Sequence, residues 1–283
     1  MTRLHSSQVL EIPGKIEEYE KDLIEKIGMS LAEVGWRAKI CDWTGRVAGE
    51  NVRAGAGDLD LACKNIAVVP VTAGQGQISG FCQAVKAIIQ QLGFNSVLVT
   101  ENNDVSGISE AMNRKAEIIF MADDDDFIAF NTNTGRIINN DKATARAYAV
   151  GLAGMAENYQ QKDVLVLGGG KIGCEIIKFL LNYNANPVCY DPQKSKTSHI
   201  TKKFGIQCYS SRDIKQLVKD FHLIFDATPA ADIITAEMVD ENTYLAAPGI
   251  PAGFTRRAAQ KLESRLLHDP LQLGVAVMAF AVI

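Results

Sequence analysis

Three glycines, Gly168, Gly170 and Gly173, have the G-x-G-x-x-G spacing that places a backbone turn against a dinucleotide pyrophosphate. The first glycine permits a tight strand-to-helix turn, and the second lets the backbone approach the phosphates closely. The third lets the following helix pack on the strand, and the N–H groups at the start of that helix favour the phosphate charge. Lys171 and Ile172 lie within this motif, and we expect them to contact the cofactor as well.

An acidic residue, Asp191, ends the next predicted strand. A carboxylate there would accept hydrogen bonds from the adenosine ribose and would repel a 2′-phosphate. The adjacent Pro192 and Gln193 supply no arginine that could neutralise such a phosphate. The pattern therefore predicts NAD rather than NADP. The alternative, a glycine-rich turn without a ligand, does not require this order of strand, glycines, helix, strand and acid.

A strand–helix–strand unit must position these residues, and the surrounding sequence predicts one. Residues 164–167 form a short apolar run that indicates a buried strand, and residues 174–181 have helical apolar spacing. Residues 187–190 predict the second strand. Residues 143–283 are therefore expected to form a Rossmann domain with a C-terminal segment.

Two further strands are predicted in that half, at residues 223–226 and 243–247. Their ends lie where a cofactor's ribose and nicotinamide would cross the sheet. Small residues and prolines there would let backbone groups approach the ligand, although ordinary turns have the same composition. The predicted contacts are Ala227, Thr228, Pro229, Pro248 and Gly249.

A second, smaller α/β unit is predicted in residues 1–142, because strand and helix patterns alternate there. Strands are expected at 65–72, 96–100 and 116–121, with helices at 78–92 and from 107. Ligands in such sheets bind outside the carboxyl ends of the strands. The strand ends point to Thr72 and Ala73, to Thr100 and Glu101, and to Ala122 and Asp123 as candidate site residues.

The acidic run from Asp123 to Asp126 permits three interpretations. Clustered carboxylates could bind Mg²⁺, they could form a solvated turn, or the first of them could face a cationic amine substrate. Side chains alternate faces along a strand, so four adjacent carboxylates cannot all face one site. We expect one functional acid, Asp123.

The N-terminal region predicts two helices and a loop. Residues 13–27 have an apolar helical stripe that Gly28 ends, and Ser30 with Glu33 forms a capping-box pattern before the next helix. The segment 44–58 is rich in Gly, Asn and Asp and predicts a loop or insertion.

Composition excludes several classes of function. The chain has 283 residues, 47% of them hydrophobic and 22% charged, as is ordinary for a soluble globular protein. The net charge of −4 without a basic block gives no support for nucleic-acid binding, and no apolar run is long enough for a bilayer. The six cysteines lack metal-ligand spacing and the four histidines lack a nucleophile motif. We therefore expect no metal and a cytoplasmic location.

Several strings along the chain carry a family resemblance: VPVTAGQG (69–76), DVSG (104–107), MADD (121–124), FDATP (225–229), APGIP (247–251) and DPL (269–271). Together with the glycine turn and Asp191, they resemble the pyrrolysine biosynthesis dehydrogenase family. The resemblance covers nearly the whole chain, and its most specific strings are N-terminal.

The resemblance implies a function and a site. Members of that family oxidise the terminal amine of L-lysine-Nε-3R-methyl-D-ornithine with NAD⁺, and loss of ammonia precedes ring closure to pyrrolysine. It also implies an amino-acid-dehydrogenase-like fold with the site in a cleft between the two domains. The residues implied on the substrate side are Leu4, Thr72, Ala73, Ala122, Asp123 and Asn140, with Asp269 nearby. The chemistry of the reaction makes Asp123 the expected catalytic residue, because a strand-end carboxylate can attract the substrate ammonium, orient it and relay its proton, directly or through water.

Two rival functions remain open. A dehydrogenase of another amino acid or hydroxy acid would usually place a lysine in the site, and the N-terminal strand ends offer none. A non-catalytic NAD-binding sensor would need no strand-end acid. The sequence leaves the oligomeric state open, with a homodimer among the arrangements.

Overall fold

The computed structural model describes residues 4–40, 63–157 and 160–283. The loop predicted at 44–58 lies outside the described residues. Within the described ranges, no helix is both long and apolar enough to cross a bilayer.

Five strands form the first sheet: β1 (Asn65–Val69), β2 (Ser96–Val99), β3 (Ile118–Ala122), β4 (Phe127–Asn131) and β5 (Ile137–Asn139). Their order is β2-β1-β3-β4-β5. The first three strands are parallel, as the alternation with helices predicts. β4 and β5 add an antiparallel meander at one edge, which the alternation does not predict.

The helices of the first half are α1 (Ser6–Leu10), α2 (Ile12–Ile27), α3 (Leu31–Ile40), α4 (Phe81–Gln91) and α5 (Asp104–Asn113). Gly28 ends α2 in the left-handed conformation, with φ of 67°. The predicted capping box precedes α3, since Glu33 N–H donates to Ser30 Oγ at 3.1 Å and Ser30 N–H to Glu33 Oε2 at 2.9 Å. The short α1 has no counterpart among the predicted elements.

Six strands form the second sheet: β6 (Asp163–Leu167), β7 (Asn186–Tyr190), β8 (Cys208–Tyr209), β9 (Leu223–Asp226), β10 (Tyr244–Ala246) and β11 (Leu266–Leu267). All six are parallel, in the order β11-β10-β9-β6-β7-β8. The chain runs outward from β6 to β8 and then returns to the other side of β6 with β9. This reversal creates a crevice between the ends of β6 and β9, where such sheets bind ligands. The predicted α/β fold class is confirmed.

Two helices connect the halves. α6 (Asn140–Met155) packs against helices of both halves, including α7 (Lys171–Asn182), and α11 (Gln272–Ala281) returns from the end of the second sheet to pack on α3 and α6. The contact with α3 is close: a Cβ on Gly35 would lie 2.7 Å from the carbonyl oxygen of Ala276. The C-terminal segment therefore lies with helices of the first half. The boundary between residues 142 and 143 falls in the first turn of α6 and stays a prediction.

The remaining helices, α8 (Lys194–Phe204), α9 (Ile214–Lys219) and α10 (Arg256–Leu262), follow β7, β8 and β10 along the chain. Sequence patterns predict helices near residues 195–204 and 213–219, which correspond to α8 and α9, whereas α10 has no predicted counterpart. The two short strands β8 and β11 are also unpredicted, because two-residue strands carry no periodicity.

Candidate active site

A cavity of about 370 Å³ lies between the two halves of the molecule. Residues at or just after the ends of β1, β3, β9 and β10 line it, together with one face of α6 and the start of α11. The cavity therefore lies at the carboxyl ends of strands from both sheets, where parallel α/β sheets bind ligands.

Most of the predicted substrate residues meet in this cavity. Leu4, Ala122, Asp123, Asn140 and Asp269 all line it, although they are far apart along the chain. Asn140 also packs closely on α11, because its Oδ1 lies 2.5 Å from where a Cβ on Gly274 would be.

Thr72 and Ala73 are exposed and do not line the cavity. The reason is a local one: the Thr72 backbone N–H donates to Asp104 Oδ1 at 2.8 Å and its hydroxyl donates to Asp104 Oδ2. These bonds tie the residue to the start of α5. Residues 75–78 of the same loop line the cavity instead.

The acidic run after β3 is mainly a hydrogen-bonded turn. Asp123 Oδ1 accepts from the backbone N–H groups of Asp125 and Asp126, each at 2.8 Å. Asp124 Oδ2 accepts from Gln75 N–H at 2.7 Å, which fixes the loop after β1. The hydrogen bonds from Asp126 and Asp125 hold the pKa of the exposed Asp123 carboxyl below its ordinary value. Asp123 is thus a permanent negative charge at the cavity.

Asp269 differs from Asp123 in almost every respect. It is only 4% exposed, and burial raises the pKa of its carboxyl to about 7. The carboxyl follows β11 and accepts hydrogen bonds from the first turn of α11, from Leu271 N–H at 3.1 Å and Leu273 N–H at 2.9 Å. Asp269 can therefore change its protonation state near neutral pH.

The glycine turn after β6 has the shape that a dinucleotide requires. Gly168 has φ of 94°, and a Cβ there would lie 2.7 Å from the Ala227 carbonyl oxygen. A Cβ on Gly173 would lie 1.9 Å from the Gly168 carbonyl oxygen, so only glycine fits. Nothing lies within 4 Å of the corresponding position on Gly170, which leaves room for a pyrophosphate at the start of α7.

Asp191 lies beside this turn, as predicted. The residue is only 4% exposed, and its Oδ2 accepts from Gly169 N–H at 2.9 Å and its Oδ1 from Gln193 N–H at 2.8 Å. Lys196 approaches Oδ2 to 3.5 Å, a cation that the sequence pattern does not reveal because it comes from α8. The carboxylate is nevertheless held where an adenosine ribose would bind.

The residues expected at the nicotinamide end of the cofactor line the cavity directly. Ile172, the strand-end residues Ala227, Thr228 and Pro229, and the later Pro248 and Gly249 all lie in its wall. Behind them, buried Asp226 accepts from the Thr228 hydroxyl at 2.7 Å and holds this loop. Gly168, Gly170, Lys171, Gly173 and Asp191 lie outside the cavity lining, along the same edge of the sheet. The residues present therefore fit a nicotinamide dinucleotide whose nicotinamide reaches the cavity.

One wall of the cavity comes from α6, and its residues beyond Asn140 were not predicted from the sequence. Asp141, Thr144 and Tyr148 line the cavity from this otherwise alanine-rich helix. Their spacing of three and four residues puts them on one stripe, and a polar stripe on an apolar helix was the signal available. Burial raises the pKa of Asp141, and Lys171, whose Nζ lies 3.6 Å from Asp141 Oδ2, opposes this rise.

The charge of the cavity is one-sided. Five aspartates line it, namely Asp123, Asp124, Asp125, Asp141 and Asp269. Among the described residues, no lysine, arginine or histidine belongs to its lining. Within the described ranges there is also no group of three or more side chains arranged to hold a metal ion. This electrostatic environment attracts cationic ligands and disfavours anionic ones.

Solved structures support the fold. The chain resembles a shikimate dehydrogenase from Aquifex aeolicus, with a TM-score of 0.54 and 15% identity, over 77% of this chain and 91% of the other. A quinate dehydrogenase from Corynebacterium glutamicum, solved with NAD, matches with the same TM-score at 12% identity, over 77% of this chain and 93% of the other. Residues 152–247 match the shikimate/quinate 5-dehydrogenase family. At these identities the likeness concerns the fold alone.

Sequence comparison is more specific. Residues 8–138 match the family described as pyrrolysine biosynthesis protein PylD, N-terminal domain. A pyrrolysine synthase of Methanosarcina acetivorans is 33% identical over 241 residues, which cover 84% of this chain and 91% of that protein. One from Methanosarcina barkeri is 36% identical over 220 residues, covering 78% and 81% respectively. The chain, with its Rossmann half, its N-terminal α/β half and the acid-lined cleft between them, belongs to the pyrrolysine synthase family.

Proposed function

We propose that this protein oxidises the terminal primary amine of L-lysine-Nε-3R-methyl-D-ornithine, with NAD⁺ as the hydride acceptor. Water then hydrolyses the iminium and releases ammonia, and the resulting semialdehyde condenses with the substrate's own nitrogen, with loss of water, to close the ring of pyrrolysine. The observation that carries this proposal is the cavity lined by five aspartates and, among the described residues, by no cationic side chain. Such a cavity suits a substrate with ammonium groups.

The cavity's size supports the same proposal. At about 370 Å³ it lies within the range of roughly 300–1,000 Å³ typical of small-molecule sites. Apolar residues such as Val69, Ile78 and Phe81 line one side and could contact the aliphatic chain of a lysine derivative. The polar groups lie mainly at the strand ends and on α6.

Asp123 is proposed to attract and orient the reacting ammonium. Its Oδ1 is engaged in the turn, and Oδ2 takes no hydrogen bond from the described residues. Because its pKa is lowered, the carboxylate is charged at neutral pH and can stabilise the iminium cation that oxidation produces. The bound nicotinamide would supply the hydride acceptor, and the protein supplies the orientation.

The NAD preference is also a proposal. It is supported by the buried Asp191 carboxylate, which would lie close to a 2′-phosphate and repel it. The Lys196 ammonium, 3.5 Å from Asp191 Oδ2, offsets part of this negative charge.

A second dehydrogenase activity, on a hydroxy acid, is disfavoured by the same charge pattern, because a hydroxy acid brings a carboxylate and no amine to a lining of aspartates. Another amino acid carries an amine as the proposed substrate does, and free lysine as a control substrate separates the two. A non-catalytic sensor would share the cofactor site but would not turn over substrate.

The protein is proposed to act in the cytoplasm on a small-molecule substrate. A homodimer is the proposed assembly, and size-exclusion chromatography with light scattering tests it.

The decisive experiment mixes the purified protein with NAD⁺ and synthetic lysine-methylornithine. We expect NADH absorbance and the mass of pyrrolysine to rise together. Shikimate, quinate and free lysine serve as control substrates and should give no NADH. Cofactor binding without turnover of lysine-methylornithine would contradict the proposal.

A variant then tests the acid. Asp123→Asn keeps the acceptor oxygen of the turn but removes the charge. NAD affinity should stay within about threefold, while kcat should fall by about 10²-fold or more, as for loss of a group that stabilises developing charge. Unchanged turnover would remove Asp123 from the mechanism.

A further inference from the structure

The two carboxylate oxygens of Asp269 have different surroundings. Oδ1 accepts from Leu271 N–H and Leu273 N–H, so it caps the first turn of α11. Oδ2 is buried and has no hydrogen-bond partner of good geometry among the described residues. A cap needs only one oxygen. The Tyr19 hydroxyl lies near this carboxyl and lowers its pKa, so the carboxyl is not isolated.

Two tyrosines face this carboxyl from different helices. The Tyr148 hydroxyl on α6 donates to the Asp269 carbonyl oxygen and accepts from its backbone N–H, both at 2.6 Å, which clamps the residue in place. The Tyr19 hydroxyl on α2 is also buried without a partner of good geometry, yet it is close enough to favour the ionised form of Asp269. Asp22 lies near the Tyr19 hydroxyl and acts on it electrostatically.

Asp269 also lines the cavity in which oxidation would occur. It shares the lining with Pro248 and Gly249, the strand-end residues at the predicted nicotinamide position. Asp123 reaches the same cavity from the other sheet. The two carboxylates, which come from different halves of the chain, therefore belong to one cavity.

We propose that Asp269 is the group that takes the proton from the substrate ammonium, while Asp123 holds and orients the amine. This inference rests on the proposed function. In the step, an N–H bond of the ammonium breaks and its proton passes to the Asp269 carboxylate, which forms an O–H bond. A nicotinamide dinucleotide bound at the glycine turn would accept the hydride, with its electron pair, from the carbon next to the neutral amine. The products are an iminium cation, the reduced cofactor and a protonated Asp269.

The titration behaviour of the two acids agrees with this division of roles. A general base works best when its pKa lies near the working pH. Burial raises the pKa of Asp269 to about 7, although hydrogen bonds from Leu273 and Tyr19 oppose the rise. The pKa of Asp123 is lowered, so its carboxylate holds a proton poorly and suits electrostatic binding.

The plain alternative is that Asp269 is only a helix cap. Asp269→Asn separates the two roles, because asparagine keeps an acceptor oxygen for Leu271 and Leu273 but cannot accept a proton. Asp226→Asn is the matched control. Asp226 is likewise buried, with a pKa raised to about 6 and its Oδ2 unpartnered, but it does not line the cavity.

The experiment follows single-turnover NADH formation from lysine-methylornithine across pH 5 to 9. At substrate concentrations well below KM, the wild-type rate reports kcat/KM and should rise with pH through a pKa near 7 in the free enzyme. In Asp269→Asn the rate should fall about 10²–10⁴-fold, the range for loss of a general base. The rise of the rate with pH, here called the pH limb, should also disappear in this variant. Substrate deuterated at the oxidised carbon should show a full isotope effect, and NAD affinity should stay within about threefold. The pH limb should persist in Asp226→Asn.

A second variant covers the case in which Asp269→Asn fails to fold. The Tyr19 hydroxyl lowers the pKa of Asp269, so Tyr19→Phe should move the pH limb to a higher pH. A limb that stays in place, or an Asp269→Asn enzyme with turnover close to wild type, overturns the proposal. If wild-type protein never oxidises the substrate, the proposed function itself is wrong. That result differs from an active wild type with an equally active Asp269→Asn variant, which contradicts only the role of Asp269.

Discussion

The buried Asp269 carboxyl should make the stability of the apo-protein fall as pH rises. Its pKa is raised from an ordinary value of 3.8 to about 7 in the native state. A group with a raised native pKa contributes stability that is fully present below its unfolded pKa and is lost as pH rises through its native pKa. The affected window is therefore about pH 4 to 7.

The magnitude follows from linkage. A pKa difference of one corresponds to about 1.4 kcal/mol. With the two pKa values of Asp269, the destabilisation grows from about 2 kcal/mol at pH 5 to about 4 kcal/mol at pH 8. The net loss across this interval is roughly 2–3 kcal/mol, a large share of the 5–15 kcal/mol typical of a folded protein.

Urea unfolding of Asp269→Asn and wild type at pH 5, 6, 7 and 8 measures this effect directly. The free energy of unfolding of the variant, relative to wild type, should increase by about 2–3 kcal/mol between pH 5 and pH 8, because asparagine does not ionise. Asp240→Asn is the control: hydrogen bonds from Thr243 and Asn242 lower the pKa of Asp240, so its contribution is lost only in acid. A pH-independent difference between Asp269→Asn and wild type would refute the reasoning about burial.

Two further predictions concern the cofactor site. Gly173→Ala should weaken NAD binding at least tenfold in a fluorescence titration, because the new Cβ would lie 1.9 Å from the Gly168 carbonyl oxygen and must displace the turn. Gly14→Ala is the control: its Cβ meets nothing within 4 Å, so this variant should bind NAD as wild type does. Asp191→Asn should lower the ratio of kcat/KM for NAD⁺ over NADP⁺ by about tenfold or more, since it removes the charge that repels a 2′-phosphate. Equal ratios in the variant and wild type would contradict the role of that carboxylate.

Local patterns in the sequence were sufficient for the cofactor half. The glycine spacing, the apolar run before it and the acid after the next strand are all constrained within one strand–helix–strand unit. Short-range sterics impose these residue types: only glycine fits at Gly173, whatever the remainder of the chain does. The same holds for the end of α2 at Gly28 and for the capping box of Ser30 and Glu33, since the hydrogen bonds involved span only a few residues.

The substrate side depended on tertiary structure. Thr72 and Asp123 both follow predicted strands, yet Thr72 is tied to α5 whereas Asp123 lines the cavity. Asp269 has no local signal of its burial. The helix α2, the helix α6 and the return of α11 onto the first half enclose it.

The sequence by itself thus determined that the chain has a dinucleotide turn, an acid for the ribose and a strand-end acid in a second α/β half. Those features follow from periodicity, steric limits and spacing, which act over a few residues. Only the tertiary structure decided that five aspartates from both halves meet in one cavity, and which of them is buried. The physical reason is that desolvation depends on everything packed around a group, so two aspartates of identical chemistry have pKa values shifted in opposite directions.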